Sequence, residues 1–182
     1  MEEFSSAQTF ISSNINDFLN VDVIFLPGVG NFTIAAEKLT KIKNFLYQSI
    51  EEGKIIFGIC LGMELLGNIS EEGSGSGLNL ISGNILSLPK TVKVPHIGWN
   101  QIVNVKDSYL LDGINPDSYV YFVHSFYFEV EKIQNIVAKT NYGIWFPSIV
   151  ESNNVYGTQF HPEKSGKIGL KILENFLKIV KR

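Results

Sequence analysis

Lys54-Ile55-Ile56-Phe57-Gly58-Ile59-Cys60-Leu61-Gly62-Met63 sets the architecture of this chain. Residues 54–59 are an apolar, β-branched run that reads as a buried strand, and the helix that should follow begins at Leu61. The single cysteine of the 182-residue sequence sits on the junction. Gly58 and Gly62 remove the side chains that would crowd so sharp a strand-to-helix turn, which is the logic of a nucleophile elbow. Such a turn presents a side chain at the end of a sheet, and unpaired N–H groups at the head of the helix would lower the thiol's pKa. Read without its context, a lone Cys in an apolar run is a small buried hydrophobe.

A second motif supplies what a nucleophile needs. Gln159-Phe160-His161-Pro162-Glu163 closes a strand expected over 155–160, because Pro162 holds His161 extended and removes a backbone donor. In an extended segment residues two apart share a side. Glu163 can therefore reach one imidazole nitrogen of His161, fix the tautomer and leave the other nitrogen to accept the thiol proton. Cys60 is thus the candidate nucleophile, His161 its base and Glu163 the orienting acid. His124, inside the aromatic run Tyr121-Phe122-Val123-His124-Ser125, is the rival base. It has no acidic residue two positions on and reads better as a packed histidine.

Working outward, residues 21–26 form another apolar strand, followed by the turn Pro27-Gly28-Val29-Gly30-Asn31-Phe32 and a helix expected over 33–52. Ala35, Leu39, Ile42 and Leu46 fall at helical spacing, and Gly53 ends the helix. Strand, helix and strand in succession make a parallel unit with a right-handed crossover. A terminal helix over 166–181, with Leu173, Phe176, Leu177 and Val180 inward, covers the sheet. Between them lie short strands expected over 85–88, 101–105, 119–122, 136–140 and 146–150. The fold class is α/β: a three-layer domain with a mostly parallel central sheet, flanking helices and an additional small β region, spanning 1–182 as one unit. Gly73-Ser74-Gly75-Ser76-Gly77 reads as a mobile loop.

Composition narrows the function classes. Fifteen Lys and Arg against 18 Asp and Glu give a net charge of −3, with no basic run longer than Lys181-Arg182. Nucleic acid is an unfavoured partner. One cysteine allows no internal disulfide framework, which suits a reducing, cytoplasmic setting. No basic-then-apolar leader opens the chain and no stretch of ~18 apolar residues occurs, so neither secretion nor membrane insertion is expected.

These motifs carry a resemblance. The Pro27–Phe32 turn, the Cys60 elbow and His161-Pro162-Glu163 are similar to those of the class I (triad) glutamine amidotransferase family, from about Asp22 to the C-terminus. Pro95-His96-Ile97-Gly98-Trp99-Asn100, Tyr121 to Ser125, and His161 to Ser165 resemble the glutaminase subunits of imidazole glycerol phosphate synthases. The elbow and His-Pro-Glu belong to the whole superfamily, anthranilate synthase glutaminases included; the stretch from His96 to Asn100 is the more specific mark.

The resemblance implies attack of the Cys60 thiolate on the side-chain amide of L-glutamine. Ammonia then leaves with His161 as acid, and water activated by His161 hydrolyses the thioester. No metal or cofactor is called for. The N–H groups of Gly30 and Leu61 become the candidate oxyanion hole, although Gly28-Val29-Gly30 alone reads as a plain tight turn. Gly28, Glu64, Glu72, Ser125 and Phe126 are assigned to substrate, with Glu72 on the ammonium and backbone groups of Ser125 and Phe126 alongside. His96, Trp99, Asn100 and Tyr121 are assigned to a face that docks a (β/α)8-barrel cyclase subunit, where the ammonia is used. On the plainer reading His96 and Trp99 are ordinary turn and core residues.

The chain departs from the family pattern twice. Glu64 stands where the family usually has Gln, and a carboxylate cannot donate unless protonated, so weaker glutamine binding is expected. The family usually opens with a buried strand, a glycine-rich loop and a helix, whereas 26 residues precede Pro27 here and can supply one short strand at most. Met1 reads as an internal start, and the missing strand implies unpaired ladder groups and a poorly stable chain. A degenerate subunit that docks without hydrolysing glutamine is the alternative to an active enzyme.

Overall fold

The computed structural model describes residues 8–12 and 14–181. Whatever the N-terminal expectation assigned to residues 1–7 lies outside them; ahead of the first strand the described residues form only a 3-10 turn, Ile15–Phe18. The central sheet has six strands: β1 (Val23–Gly28), β2 (Ile55–Cys60), β5 (Val103–Asn104), β8 (Ile136–Asn141), β9 (Trp145–Ser152) and β10 (Val155–Thr158). Their spatial order is β1-β2-β10-β9-β8-β5. β2 pairs in parallel with β1 and with β10, while the remaining pairings are antiparallel. The sheet is mixed, with its parallel strands gathered in the half that carries Cys60. Two two-stranded sheets stand beside it: β3 (Gly83–Ser87) with β7 (Phe126–Val130), and β4 (His96–Gln101) with β6 (Tyr119–His124).

Strand alternation sends side chains to two cores. Ile56, Val150 and Val155 face one core with Phe32, Leu46, Leu66 and Phe128. Phe57, Ile149 and Tyr156 face the other with Phe122, Phe160, Ile172 and Phe176. The first core lies under α1 (Phe32–Thr40), α2 (Lys43–Glu51) and the single-turn α3 (Leu61–Glu64); the second lies under α4 (Gly166–Val180). Sheet with helices on both faces is the three-layer α/β arrangement the pattern implied.

Several local expectations differ from the structure. The helix over 33–52 is two helices, because the chain leaves helical geometry at Ile42 (φ −117°, ψ 3°). Just before this break the Thr40 hydroxyl bonds back to the Ala36 carbonyl at 3.0 Å, an arrangement that bends helices. Ala36 rather than Ala35 is buried with Leu39 and Leu46. On α4 the inward residues are Gly169, Ile172, Asn175 and Phe176, so the buried stripe is turned from the Leu173/Leu177 line. Asn175 explains the turn: its amide donates to the carbonyls of Leu110 (3.1 Å) and Asp112 (2.7 Å), a polar anchor that hydrophobic periodicity does not register.

The strands His96–Gln101 and Phe126–Val130 were not anticipated, since one holds glycine and polar residues and the other is aromatic without alternation. Finally, the glycine-serine loop is pinned at its C-terminal end. Gly77 is buried, donates to the Asn68 carbonyl at 2.6 Å and accepts from Lys43 Nζ at 2.8 Å.

Candidate active site

The cysteine occupies a strained junction. Cys60 closes β2 and caps α3 with φ 52° and ψ −111°, a conformation that a residue with a Cβ adopts only under constraint. The constraint is packing of the turn on itself and on β1. A Cβ added at Gly58 would lie 2.4 Å from the Gly62 carbonyl oxygen, and one at Gly62 would lie 1.7 Å from that of Leu26. The two glycines therefore let the turn close and seat it against β1, as the sequence implied. The helix behind the cysteine is only four residues long, so its dipole is weaker than the sequence reading assumed.

The opposite member of the pair comes from β10. Thr158 lies beside Ile59 in the parallel register, so the segment 159–161 leaves the sheet next to Cys60. His161 is extended (φ −94°, ψ 100°) and 3% exposed. Pro162 then starts the 3-10 turn Pro162–Lys164, and this turn brings Glu163 Oε1 to 2.7 Å from His161 Nδ1. A carboxylate oxygen accepts, so Nδ1 carries the proton; Nε2 is buried and has no hydrogen-bond partner among the described residues. The backbone holds the ring in place. The His161 N–H donates to the Tyr121 carbonyl at 3.0 Å, while Ser165 Oγ donates to the His161 carbonyl at 2.6 Å and accepts from the Tyr121 N–H at 2.9 Å. Ser165 is a supporting residue that the sequence reading did not assign.

The thiol itself points elsewhere. Cys60 Sγ donates to the Val123 carbonyl at 3.7 Å. Burial, then the nearby Glu64, push its pKa up to about 12; the Leu61 N–H opposes this, Glu163 reinforces it, and Gln159 opposes it weakly. The expectation of a lowered pKa is thus corrected. The Leu61 N–H acts in the anticipated direction, but desolvation outweighs a single turn of helix. The raised pKa favours the protonated thiol, and the buried Nε2 of His161 is a polar atom left without a partner among the described residues.

A cavity of about 290 Å³ opens over the sulfur, lined by Val29, Gly30, Leu61, Glu64, Glu72, Pro95, Val123, His124, Ser125 and Phe126 along with Cys60. It gathers Gly30 and Leu61, together with Glu64, Glu72, Ser125 and Phe126, around the thiol. Gly28 stands apart: it pairs with Cys60 across β1 and β2 and lines the neighbouring groove instead. Glu72 Oε2 accepts the N–H of Phe32 at 2.5 Å, so one of its oxygens is already engaged at the start of α1.

Glu64 is 5% exposed, and Gln159 Nε2 donates to its Oε1 at 3.0 Å. Burial raises its pKa to about 7 against the pull of that hydrogen bond, with Glu72 adding to the rise. Gln159 was quoted in the sequence only as a flank of His161. Its contact joins residues far apart in the chain, which no local pattern could reveal.

His124 is buried and hydrogen-bonded, as the sequence reading held. His96 is also buried, at 3% exposure, so its assignment to a docking face is corrected: its ring stacks between Phe122 and Tyr142. Trp99 is 56% exposed with its edge toward Tyr121, and Asn100 and Tyr121 are half-buried.

Residues 5–180 match the model of the family described as glutamine amidotransferase class-I. The chain belongs to the class I glutamine amidotransferases. Within that family, the imidazole glycerol phosphate synthase subunit HisH of Methanocaldococcus jannaschii is 47% identical over 174 residues, covering 95% of this chain and 88% of the relative. The subunit of the same name from Methanosarcina barkeri is 50% identical over 171 residues, covering 92% and 84%. The fold agrees with a crystal structure of a glutamine amidotransferase at a TM-score of 0.72 and 17% identity, covering 94% of this chain and 85% of that one. Among the described residues no helix of this amidotransferase is long and apolar enough to cross a membrane.

Proposed function

We propose that this chain is the glutaminase subunit of an imidazole glycerol phosphate synthase: it hydrolyses glutamine to glutamate and ammonia and passes the ammonia to a cyclase subunit. The observation that supports the reading is the adjacency of two parallel strands, one ending at the strained Cys60 and the other followed by the hydrogen-bonded pair His161 and Glu163. Likeness of 42–50% along nearly the whole chain to subunits of that synthase supports the choice of complex.

Catalysis follows from the proton inventory. Rotation of Cys60 about its Cα–Cβ bond takes Sγ–H from the Val123 carbonyl toward His161 Nε2, whose lone pair is available in the neutral ring because Glu163 accepts the Nδ1–H. The sulfur attacks the carboxamide carbon, the N–H groups of Gly30 and Leu61 receive the developing oxyanion, and His161 returns its proton to the leaving ammonia. Water, deprotonated by His161, then releases glutamate from the thioester. Glu72, Ser125 and Phe126 bind the α-amino and carboxylate ends, Glu64 faces the side-chain end, and Gly28 supports the oxyanion turn. The exposed Trp99, with Asn100 and Tyr121, forms the docking face for a cyclase of (β/α)8-barrel fold.

A second reading has a specific observation behind it. The thiol's raised pKa and its bond to the Val123 carbonyl describe a resting or impaired nucleophile, as a purely docking subunit would have. An ammonia-release assay on glutamine, with and without the cyclase, separates the two. Turnover that appears or rises with the cyclase is expected; none under either condition leaves the docking reading.

A further inference from the structure

Asn100, His96 and His124 form a single-file hydrogen-bond chain from β4 to the rim of the cavity, and the two ends fix the direction of every link. At the inner end, the Phe126 carbonyl can only accept, so His124 Nδ1, 2.7 Å away, carries a proton. At the outer end, Asn100 Oδ1 accepts the Gln101 N–H at 2.8 Å and Asn100 Nδ2 donates to the Asn141 carbonyl at 3.0 Å, which sets the orientation of the amide. The second hydrogen of Nδ2 is directed to His96 Nε2 at 3.3 Å, making that nitrogen an acceptor. His96 Nδ1 therefore carries the proton and donates to His124 Nε2 at 3.0 Å.

Two neutral rings, each protonated on Nδ1, satisfy all four nitrogens. Adding a proton to either ring would set two donors face to face. The surroundings oppose it as well, since burial pushes His96 down to about 4 and His124 to about 3. Phe122 and Tyr142 clamp the His96 ring at interplanar angles of 21° and 18°, leaving it little freedom to turn away.

We propose that Asn100, His96 and His124 are positioning residues that hold the Ser125–Phe126 corner in the geometry that binds glutamine. His124 lines the cavity with Ser125 and Phe126, His96 and Asn100 are not among its lining residues, and the three act by tying down the Phe126 carbonyl. The inference rests on the glutaminase reading. It predicts that breaking the chain raises KM for glutamine and spares the chemistry of Cys60, because only the rim loses its support.

His96→Phe keeps a flat ring in the stack and removes the donor to His124. Glutamine kinetics with saturating cyclase, alkylation of Cys60 by iodoacetamide and the far-ultraviolet circular dichroism of this variant and the wild type are measured side by side. The expected result is KM raised about tenfold, the loss of one well-formed hydrogen bond, with kcat within about twofold and alkylation unchanged. An unchanged KM in a folded variant, or a loss confined to kcat and alkylation, overturns the proposal. Nitrogen-15 NMR of histidine-labelled wild-type protein tests it without mutation or turnover. Nδ1–H on both rings is expected, and an Nε2–H tautomer on either one sinks the relay. A wild type that shows the tautomers but releases no ammonia would remove the glutaminase reading alone.

Discussion

The two walls of the cavity are built on opposite physical terms. The wall formed by β2 and α3 is tense: Cys60 holds a positive φ, its thiol is pushed to about 12, and beside it Glu64 is a buried carboxyl with a pKa near 7. The wall formed by β4, β6 and the start of β7 is saturated, with both histidines neutral and every ring nitrogen paired. On the proposed mechanism, strain and unresolved charge are concentrated where bonds would be made and broken, and satisfied polar groups stand where the substrate would be held still. A buried polar network that is complete rigidifies its surroundings, while an unpaired buried charge makes them respond to pH and ligand.

Several changes would break or sharpen this contrast. The largest effect is expected from Cys60→Ala, which should cut glutamine hydrolysis by at least about 10⁴-fold and leave synthesis from added ammonium salts intact, as read in a coupled assay with the cyclase. Glu163→Gln should come next, lowering kcat by roughly 10²–10⁴-fold through loss of the Nδ1–H tautomer of His161. A pH–rate profile would show whether the surviving activity has lost its basic limb. Gly62→Ala addresses the tension directly. Its Cβ would fall on the Leu26 carbonyl, so unfolding in urea should show a loss of about 3 kcal/mol, with activity falling because the elbow shifts.

The smallest and most informative change is Glu64→Gln. The folded pKa of Glu64 is raised above the free value, from 4.5 to about 7, so the native state holds this proton more tightly than the unfolded chain does. Stability linked to that group is fully present below about pH 4.5 and is lost as pH rises through about 7. Glu64→Gln should therefore raise the melting temperature more at pH 8 than at pH 5. It should also speed alkylation of Cys60 at pH 8, since a charge that raises the thiol pKa is gone. A KM for glutamine that fails to fall would mean that position 64 does not limit binding.

The tense wall was legible in the sequence and the saturated wall was not. Gly58, Cys60 and Gly62 lie within five residues, and sterics at that range are decided by the backbone alone. His161 and Glu163 were equally local, with Pro162 dictating both the extended histidine and the turn that returns the carboxylate. The relay, by contrast, joins two strands, β4 and β6, and reaches a third, β7, at the Phe126 carbonyl. Its residues drew notice in the sequence as a docking motif or as packed rings, and only the antiparallel pairing of His96 with His124 made them partners. The α4 face and the break at Ile42 were misjudged for a related reason: a polar anchor such as Asn175, or a hydroxyl such as Thr40 bonding to its own helix, is invisible to hydrophobic period.

What the sequence determined by itself was the chemistry on offer: a thiol at a glycine-flanked strand end, an imidazole oriented by its own carboxylate, and the α/β frame that the apolar periods demand. What the tertiary structure alone decided was the electrical state of that chemistry. Burial of Cys60 and Glu64, the Gln159 contact and the tautomers of His96 and His124 all depend on which distant segments exclude water from a given atom, and exclusion of water is a property of the packed molecule rather than of any stretch of chain.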